Sequence, residues 1–312
     1  MAKRKVMRID PREFEQLNKR YYETNPHDYL EFRLISLIAF VDESPRMATQ
    51  VAEGVEFAGL KMSVPDLDSA DAVEKKVKYA SADSIVLLHH ACEILLRLYL
   101  AHSERDPCPG VAMSSLTNFA EFKRAVAKLQ TSLDTTERIA DLLEVVSYSK
   151  TNEPFELSDE QWAEHAEGLK AVFQFAAETF LNDSPLYNAA KHGFAVIPHN
   201  VGMSLEVSED FPMKKDGPAL TYLERTTKDG ETAWQASTQW VSAQWNLAWV
   251  KVIVDQIENL WNSAKAHYAV KLGDDRKLRF QFLNREMIDR LLRADAIDGI
   301  NVTKMSMSLN LR

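Results

Sequence analysis

The segment IVLLHHACEILLRLYLA, residues 85–101, is apolar almost all the way round a helix. Three of its polar side chains, His89, Glu93 and Arg97, recur every four residues and therefore fall on nearly one line. A helix that is apolar on almost every side is expected in the centre of a bundle. The segment therefore predicts a long central helix, which we place at residues 68–103.

The composition around this segment also favours helices. Glycine and proline supply only 10 and 11 of the 312 residues, which leaves little material for turns and strand ends. Hydrophobic residues make up 46% and charged residues 27%, as in a soluble globular protein. We predict a predominantly α (α+β) fold, namely a helical bundle with a small inserted antiparallel sheet and a short β-α-β tail.

Helical periodicity and capping signals place the remaining helices of the bundle. The predicted spans are 11–24, 26–43, 115–130, 134–149, 158–181 and 183–192. Asp134 is the predicted N-cap of its helix, Ser158 and Gln161 form a capping box, and Gly193 ends the last span. We assign residues 1–193 to the bundle, with a helix at 242–269 completing it. In that later helix Trp245, Trp249 and Trp261 share an apolar stripe, which is typical of core residues rather than of a base-stacking surface.

The sheet is predicted between these helices, and a second change of pattern marks the tail. Residues 194–241 alternate with period two, and Asp229-Gly230 is a hairpin signal between two such runs. Residues 270–312 predict a strand at 277–282, a helix at 285–294 and a strand at 300–309. This tail is basic, so it could meet a nucleic-acid backbone or the acidic middle of a second copy, or it could simply be a solvated face.

The net charge of −9 is unevenly distributed. Residues 1–20 carry seven Lys/Arg against three Asp/Glu, and residues 265–312 carry ten against six. Residues 21–264 carry twenty against thirty-seven. This distribution excludes a protein coated in positive potential for duplex DNA, but it leaves room for a local phosphate-binding cleft.

Targeting and cysteine signals indicate a cytoplasmic protein with no membrane partner. The two cysteines, Cys92 and Cys108, lie in different settings and give no disulfide framework. The basic N-terminus is not followed by the apolar core of a signal peptide, and no uncharged apolar run reaches about 18 residues.

The polar line on the central helix leaves two interpretations open. Buried Glu93 and Arg97 would each need a partner, because an unpaired buried charge is strongly destabilising. They either pair with each other at a partly exposed helix edge or face an internal polar pocket.

A metal site from His89, His90 and Glu93 lacks evident further ligands, so we predict no metal and no cofactor. Glycine-rich phosphate loops, Gly-x-Ser-x-Gly and His-Glu-x-x-His are absent, which speaks against triphosphatases, Rossmann dehydrogenases, ordinary hydrolases and zincins.

A second group of candidate residues ends the helix at 183–192. Asn188 and His192 are four residues apart and project together, and Lys191 lies beside them. Histidine exchanges protons near neutral pH, and a lysine stabilises developing negative charge on a phosphate. A histidine near a helix C-terminus is also a favourable charge placement without any catalytic role. The other histidines, His165, His199 and His267, are expected to be solvated.

Together these two segments resemble the HEPN superfamily (higher eukaryotes and prokaryotes nucleotide-binding domain). The stretch His90-Ala91-Cys92-Glu93-Ile94-Leu95-Leu96-Arg97 resembles the family's Ala-x-Glu-type element. The stretch Tyr187-Asn188-Ala189-Ala190-Lys191-His192 has the spacing of its Arg-Asn-x-x-x-His element. The resemblance covers about residues 80–194. It implies a helical bundle, metal-independent RNA cleavage in active members, and a homodimer that pairs the motif helices.

This chain departs from the family's pattern at Tyr187, which occupies the position of the motif arginine. Lys191 or Arg97 could supply the missing positive charge; alternatively, catalysis is lost and nucleotide or RNA binding is retained. The resemblance thus implies an RNA-directed protein, either a ribonuclease of the toxin or antiviral-defence type or an inactive relative. His192, Asn188 and Lys191 are then the candidate catalytic residues, and Arg97, Glu93 and Tyr187 the candidate substrate-binding residues. The competing hypothesis is a non-catalytic helical module that binds a protein partner.

Overall fold

The computed structural model describes most of the chain in a helical fold. The described residues are 9–41, 55–57, 60–62, 70–103, 106–148, 157–182, 184–192, 195–206, 212–228, 231–272, 280–293 and 309–310. Helices dominate them, and a small antiparallel sheet is added. The predicted fold class, predominantly α with a small sheet, is confirmed.

The chain divides into two compact units. The first comprises Met1–Tyr29, Cys92–Leu181 and Ile253–Arg285, and the second comprises Leu30–Ala91, Asn182–Val252 and Glu286–Arg312. The boundaries between the units fall inside or at the ends of helices rather than in long linkers.

The first unit is helical. It contains a 3₁₀ turn at Pro11–Glu13, α1 (Phe14–Tyr22), the second part of α3 (Ala70–Ser103), α4 (Pro109–Ser115), α5 (Phe119–Ser132), α6 (Thr136–Ser147), α7 (Asp159–Asn182) and the second part of α9 (Ala243–Leu272). Its largest fully buried side chains include Tyr99, Phe122, Phe173 and Trp261. Tyr99 meets Phe173 edge to face at 4.9 Å between ring centroids, so aromatic packing contributes to this core.

Two helix starts in the first unit test the capping predictions. The Ser158 box is confirmed: Gln161 N–H donates to Ser158 Oγ at 3.2 Å, and Ser158 N–H donates to Gln161 Oε1 at 2.9 Å. The Asp134 prediction is wrong by one residue, because Thr135 Oγ1 accepts the Arg138 N–H and caps α6. The Asp134 carboxylate instead pairs with Lys170 Nζ at 2.6 Å.

The strand predicted at 277–282 is also wrong for its described part. Residues 280–284 have no regular secondary structure. The side chain of Asn259 takes over the backbone pairing there, since it donates to the Gln281 carbonyl and accepts the Gln281 N–H, both at 2.8 Å. With its backbone groups satisfied by a side chain, this segment needs no neighbouring strand.

The second unit combines helices with the sheet. Its helices are most of α2 (Pro26–Val41), the first part of α3, α8 (Ser184–Lys191), the first part of α9 and α10 (Arg285–Arg293). Its strands are β1 (Val55–Phe57), β2 (Leu60–Met62), β3 (Val196–Glu206), β4 (Pro212–Lys228), β5 (Glu231–Trp240) and β6 (Leu309–Asn310). The sequence did not predict the hairpin that β1 and β2 form. The sheet order is β3-β4-β5-β6, all antiparallel. The hairpin residues Asp229-Gly230, the helix-ending Gly193 and residues 300–308 lie outside the described residues.

One face of this sheet is covered by α3 and α8. Leu186 and Ala190 of α8 are buried with Val196 and Leu220 of the sheet, and Ile85 of α3 joins the same cluster. Leu186 and Ala190 are four residues apart, so α8 turns one stripe toward the sheet, whereas Asn188 and Lys191 lie on exposed sides of the helix. This packing sets the position of the candidate site.

Within the described residues, one helical segment, Glu74–Ser103, has the length and apolar composition of a membrane-crossing helix. However, 67% of its most apolar window is buried inside the protein. That burial is the behaviour of a core helix in a soluble protein.

Candidate functional site

The end of α8 presents a small polar surface built by three residues. Asn188, Lys191 and His192 are all exposed, while Leu186 and Ala190 on the opposite side are buried. The burial of that opposite side fixes the helix on the sheet, so the three polar side chains are carried by an anchored element. We call these three residues the α8 end.

Backbone hydrogen bonds hold the α8 end in place. His192 N–H donates to the Asn188 carbonyl at 2.9 Å, which continues the helical pattern by one residue. Ala195 N–H donates to the Ala189 carbonyl at 2.7 Å, which turns the chain from the helix into β3. Asn188 and His192 are thus one helical turn apart on a closed helix terminus, as their spacing predicts.

Tyr187 occupies the position of the arginine in the Arg-Asn-x-x-x-His motif. Its ring contacts two side chains, His89 and Lys191. Its ring stacks on buried His89 at 4.6 Å between centroids, with 7° between the ring planes. Lys191 Nζ lies 5.0 Å from the centroid of the Tyr187 ring, within the range of a cation–π contact. Tyr187 therefore contacts Lys191 through its ring rather than contributing a positive charge.

The α8 end carries an amide, an ammonium and an imidazole within five consecutive residues, all of them exposed. An exposed imidazole accepts or donates a proton near neutral pH, and an adjacent ammonium stabilises phosphate charge. The helix C-terminus favours positive charge, which matches the position of Lys191 in the last turn. An exposed location also admits a polymeric ligand without rearrangement.

Glu93 and Arg97 adopt the first of their two predicted arrangements. Arg97 Nε donates to Glu93 Oε1 at 2.9 Å, forming an intrahelical pair that is partly exposed. The guanidinium also donates to the Leu116 carbonyl and lies 4.0 Å from the Phe122 ring centroid. Both residues belong to the first unit and the α8 end to the second. The contacts of Arg97 give it a structural role that joins α3 to the start of α5.

The other predicted histidines differ in their surroundings. His165 was expected to be solvated and is instead fully buried. Leu283 N–H donates to its Nδ1 at 3.0 Å, so Nε2 carries the proton that it donates to Ser147 Oγ at 2.7 Å. His199 is partly buried and shares a hydrogen bond with Thr221 Oγ1, and His267 is exposed as predicted.

The burial of His165 had a signal in the sequence. It lies three residues after Trp162 and four before Leu169, so it falls on the apolar stripe of α7. Reading that stripe would have predicted a buried imidazole. Its contact with Leu283, by contrast, joins residues 118 positions apart, which no local pattern indicates.

No cluster of three His, Cys, Asp or Glu side chains suited to a metal ion is found in the described part of the chain. His89 is instead engaged with Tyr187, and His90 lies 3.4 Å from an Arg33 nitrogen. Cys92 and Cys108 are both buried, and no disulfide joins them.

Comparison with known proteins identifies no similar protein. No family model, no curated protein and no solved structure matches this chain.

Proposed function

We propose that this chain is an HEPN-like, RNA-directed cytoplasmic protein that contacts RNA through the α8 end and cleaves it without a metal. The observation that carries the proposal is the anchored, exposed grouping of Asn188, Lys191 and His192. Its supports are the motif spacing at residues 187–192 and the proton-transfer and charge chemistry of these side chains.

The proposed reaction uses the ribose 2′-hydroxyl as nucleophile. His192 accepts the 2′-hydroxyl proton while the O2′–P bond forms and the P–O5′ bond breaks, and the leaving 5′ oxygen takes a proton from the imidazolium or from water. Lys191 offsets the negative charge on the non-bridging oxygens, and Asn188 orients the imidazole or the phosphate. Arg97 has no part in this scheme, because its guanidinium is engaged by Glu93 and Leu116.

Replacing His192 by alanine is expected to lower metal-free cleavage of single-stranded RNA at least about 100-fold, the lower range for general acid–base catalysis. The measurement is product formation by homogeneous protein in the presence of a chelator. The matched control is His267→Ala, which removes an exposed histidine of the first unit and should leave the rate unchanged. Equal residual cleavage in the His192→Ala protein would assign the activity to a contaminant.

A second candidate function, binding of a protein partner, is favoured by one observation on α2. Leu30, Leu34 and Leu37 bury one side of this helix, yet Phe32 is 74% exposed and Ile35 59% exposed on the other. A helix that is apolar all round is typical of a covered position. We define the α2 face as the exposed apolar residues of α2 and α3 in the second unit, which are Phe32, Ile35, Ile38, Phe40, Val77 and Tyr79.

The partner that fits the α2 face best is a second copy of this chain. An aromatic side chain has about 150–250 Å² of surface, and the exposed parts of the aromatic and aliphatic residues together give the α2 face roughly 500 Å² of exposed apolar surface. This area is close to the apolar part of a standard interface, which buries about 800 Å² per partner. It also holds a cleft of about 540 Å³ beside protruding Phe32. Arg33 and Asp83 pair with each other on the rim at 3.9 Å, so the cleft carries no net charge from this pair that would repel a second copy.

Light scattering at micromolar concentration is therefore expected to give the mass of a dimer, and Phe32→Asp is expected to give a folded monomer. Leu223→Asp is the matched control, because Leu223 is an exposed leucine on the sheet and should leave the dimer intact. A monomeric wild-type protein at this concentration would remove the dimer proposal without touching the RNA proposal.

A further inference from the structure

Residues 280–284 of the first unit have no regular secondary structure, yet side chains of two helices hold their backbone. Asn259 of α9 bonds both backbone groups of Gln281, and His165 of α7 accepts the Leu283 N–H at 3.0 Å. The Leu283 side chain is buried against the helices. We call residues 280–284 the strap, because polar side chains rather than a neighbouring strand fasten this segment.

The strap also approaches α7 very closely. A methyl group on Gly168 would lie 2.6 Å from Leu283 Cβ, which is nearer than two carbon atoms approach without displacement. Glycine at this position therefore lets the Leu283 N–H reach His165. Phe282 adds apolar contacts, because its ring meets the Trp162 and His165 rings edge to face at 5.7 and 5.0 Å between centroids.

The bond between the strap and His165 requires a neutral imidazole. Nδ1 accepts the Leu283 N–H only while it carries no proton, because a protonated ring nitrogen donates and cannot accept. Nε2 holds the single proton of the neutral ring and donates it to Ser147 Oγ. A second proton on the ring would place one N–H against another and break the contact with the strap.

The groups in contact with His165 do not compensate a charge on the ring. They are Ser147 of α6, Trp162 of α7, and Phe282 and Leu283 of the strap. None of these groups is charged between pH 4 and 7. Burial accordingly lowers the pKa of the imidazole from 6.5 to about 4. Acid therefore favours a state in which water reaches the ring.

We propose that acid releases the strap: protonation of His165 detaches residues 280–284 from α7 and α9 while the helices of the first unit stay folded. Release breaks the bond to His165 and the two bonds to Asn259. The helices persist because their own backbone hydrogen bonds do not involve the strap, so this is a local opening of the native state. The inference is independent of the function proposed for the α8 end.

Amide hydrogen exchange of the full-length chain, resolved by residue, tests the release. The Gln281 and Leu283 N–H groups are expected to lose protection about 100-fold between pH 7 and 4, after correction for intrinsic exchange rates. This factor follows from the difference between the exposed and the buried pKa of His165. At pH 4 their exchange should not respond to low concentrations of urea, because a local opening exposes little surface.

The buried residues Val126 and Leu129 of α5 provide the internal reference for this experiment. Their N–H groups should be more protected than those of the strap at both pH values, and their exchange should accelerate with urea. Equal protection and equal urea dependence of the strap and α5 would overturn the proposal, because the strap would then open only when the first unit unfolds.

His165→Gln replaces the imidazole by an amide whose oxygen accepts a hydrogen bond and does not titrate. The strap of this variant is expected to lose less than tenfold protection between pH 7 and 4. The control His267→Gln changes an exposed ring and should keep the wild-type response. An acid response of the strap in His165→Gln as large as in the wild-type protein would also overturn the proposal.

Gly168→Ala tests the geometry without acid. Alanine is the better helix former, so α7 should not be weakened, but the added methyl group would displace Leu283. At pH 7 the strap is expected to lose at least tenfold protection while α5 loses none. Gly110→Ala is the matched control, because its methyl group would lie 3.4 Å from the Tyr21 ring and should leave the strap unchanged. Unchanged strap protection in Gly168→Ala would contradict the close contact from which the proposal is built.

Discussion

Replacing Trp261 by alanine is expected to lower the free energy of unfolding by about 3–5 kcal/mol, the range for removing a buried tryptophan or phenylalanine. The side chain is 1% exposed, and its ring meets Tyr21 edge to face at 5.0 Å between centroids. Its Nε1 also donates to the Thr24 carbonyl at 2.6 Å. The substitution therefore leaves both a void and a carbonyl without its donor.

Urea unfolding at neutral pH measures this loss, with Trp234→Ala as the matched control. Trp234 is 55% exposed on β5, so its removal is expected to change the free energy of unfolding by less than about 1 kcal/mol. Similar losses in the two variants would contradict the assignment of Trp261 to the core of the first unit.

Acidification from pH 6.5 to about 4 is expected to destabilise the protein through His165. Burial lowers the pKa of His165 from 6.5 to about 4. A base with a depressed folded-state pKa contributes stability that is complete above its unfolded value and is lost as the pH falls to its folded value. The lowering corresponds to about 3 kcal/mol, because one pKa unit is about 1.4 kcal/mol.

The variant His165→Gln separates this contribution from other acid effects. It should be less stable than wild type at pH 7, since it disturbs the bonds to Ser147 and Leu283, but its free energy of unfolding should fall less between pH 6.5 and 4. The control His267→Gln alters an exposed ring and should retain the wild-type pH profile. A His165→Gln profile parallel to that of wild type would show that His165 does not titrate in this range.

The helices were predictable because their signals are local. Apolar stripes and caps lie within a few residues of one another, so the central helix and the Ser158 box are confirmed. The Asp134 prediction was wrong because aspartate and threonine are both good caps, and the ion pair of Asp134 with Lys170 is invisible in a linear pattern. The strand predicted at 277–282 was wrong in its described part, from residue 280 on, because alternation cannot show that Asn259 satisfies the backbone of Gln281 instead.

The candidate site was predictable in part for the same reason. The spacing of Asn188 and His192 and the apolar positions Leu186 and Ala190 are properties of one helix, and the structure shows the polar pair exposed as that pattern indicates. The stacking of Tyr187 on His89 joins residues almost a hundred positions apart, and only the folded chain shows it.

Binding of single-stranded RNA as a function of salt concentration tests the central claim, contact between RNA and the α8 end, most directly. Each phosphate neutralised by a side chain contributes about −0.7 to the slope of the logarithm of the association constant against the logarithm of salt concentration. We predict that Lys191→Gln weakens binding and reduces the steepness of this slope by about 0.7, while Lys251→Gln, at an exposed lysine of α9, changes neither. An affinity and a slope for Lys191→Gln equal to those of the wild-type protein would contradict the claim.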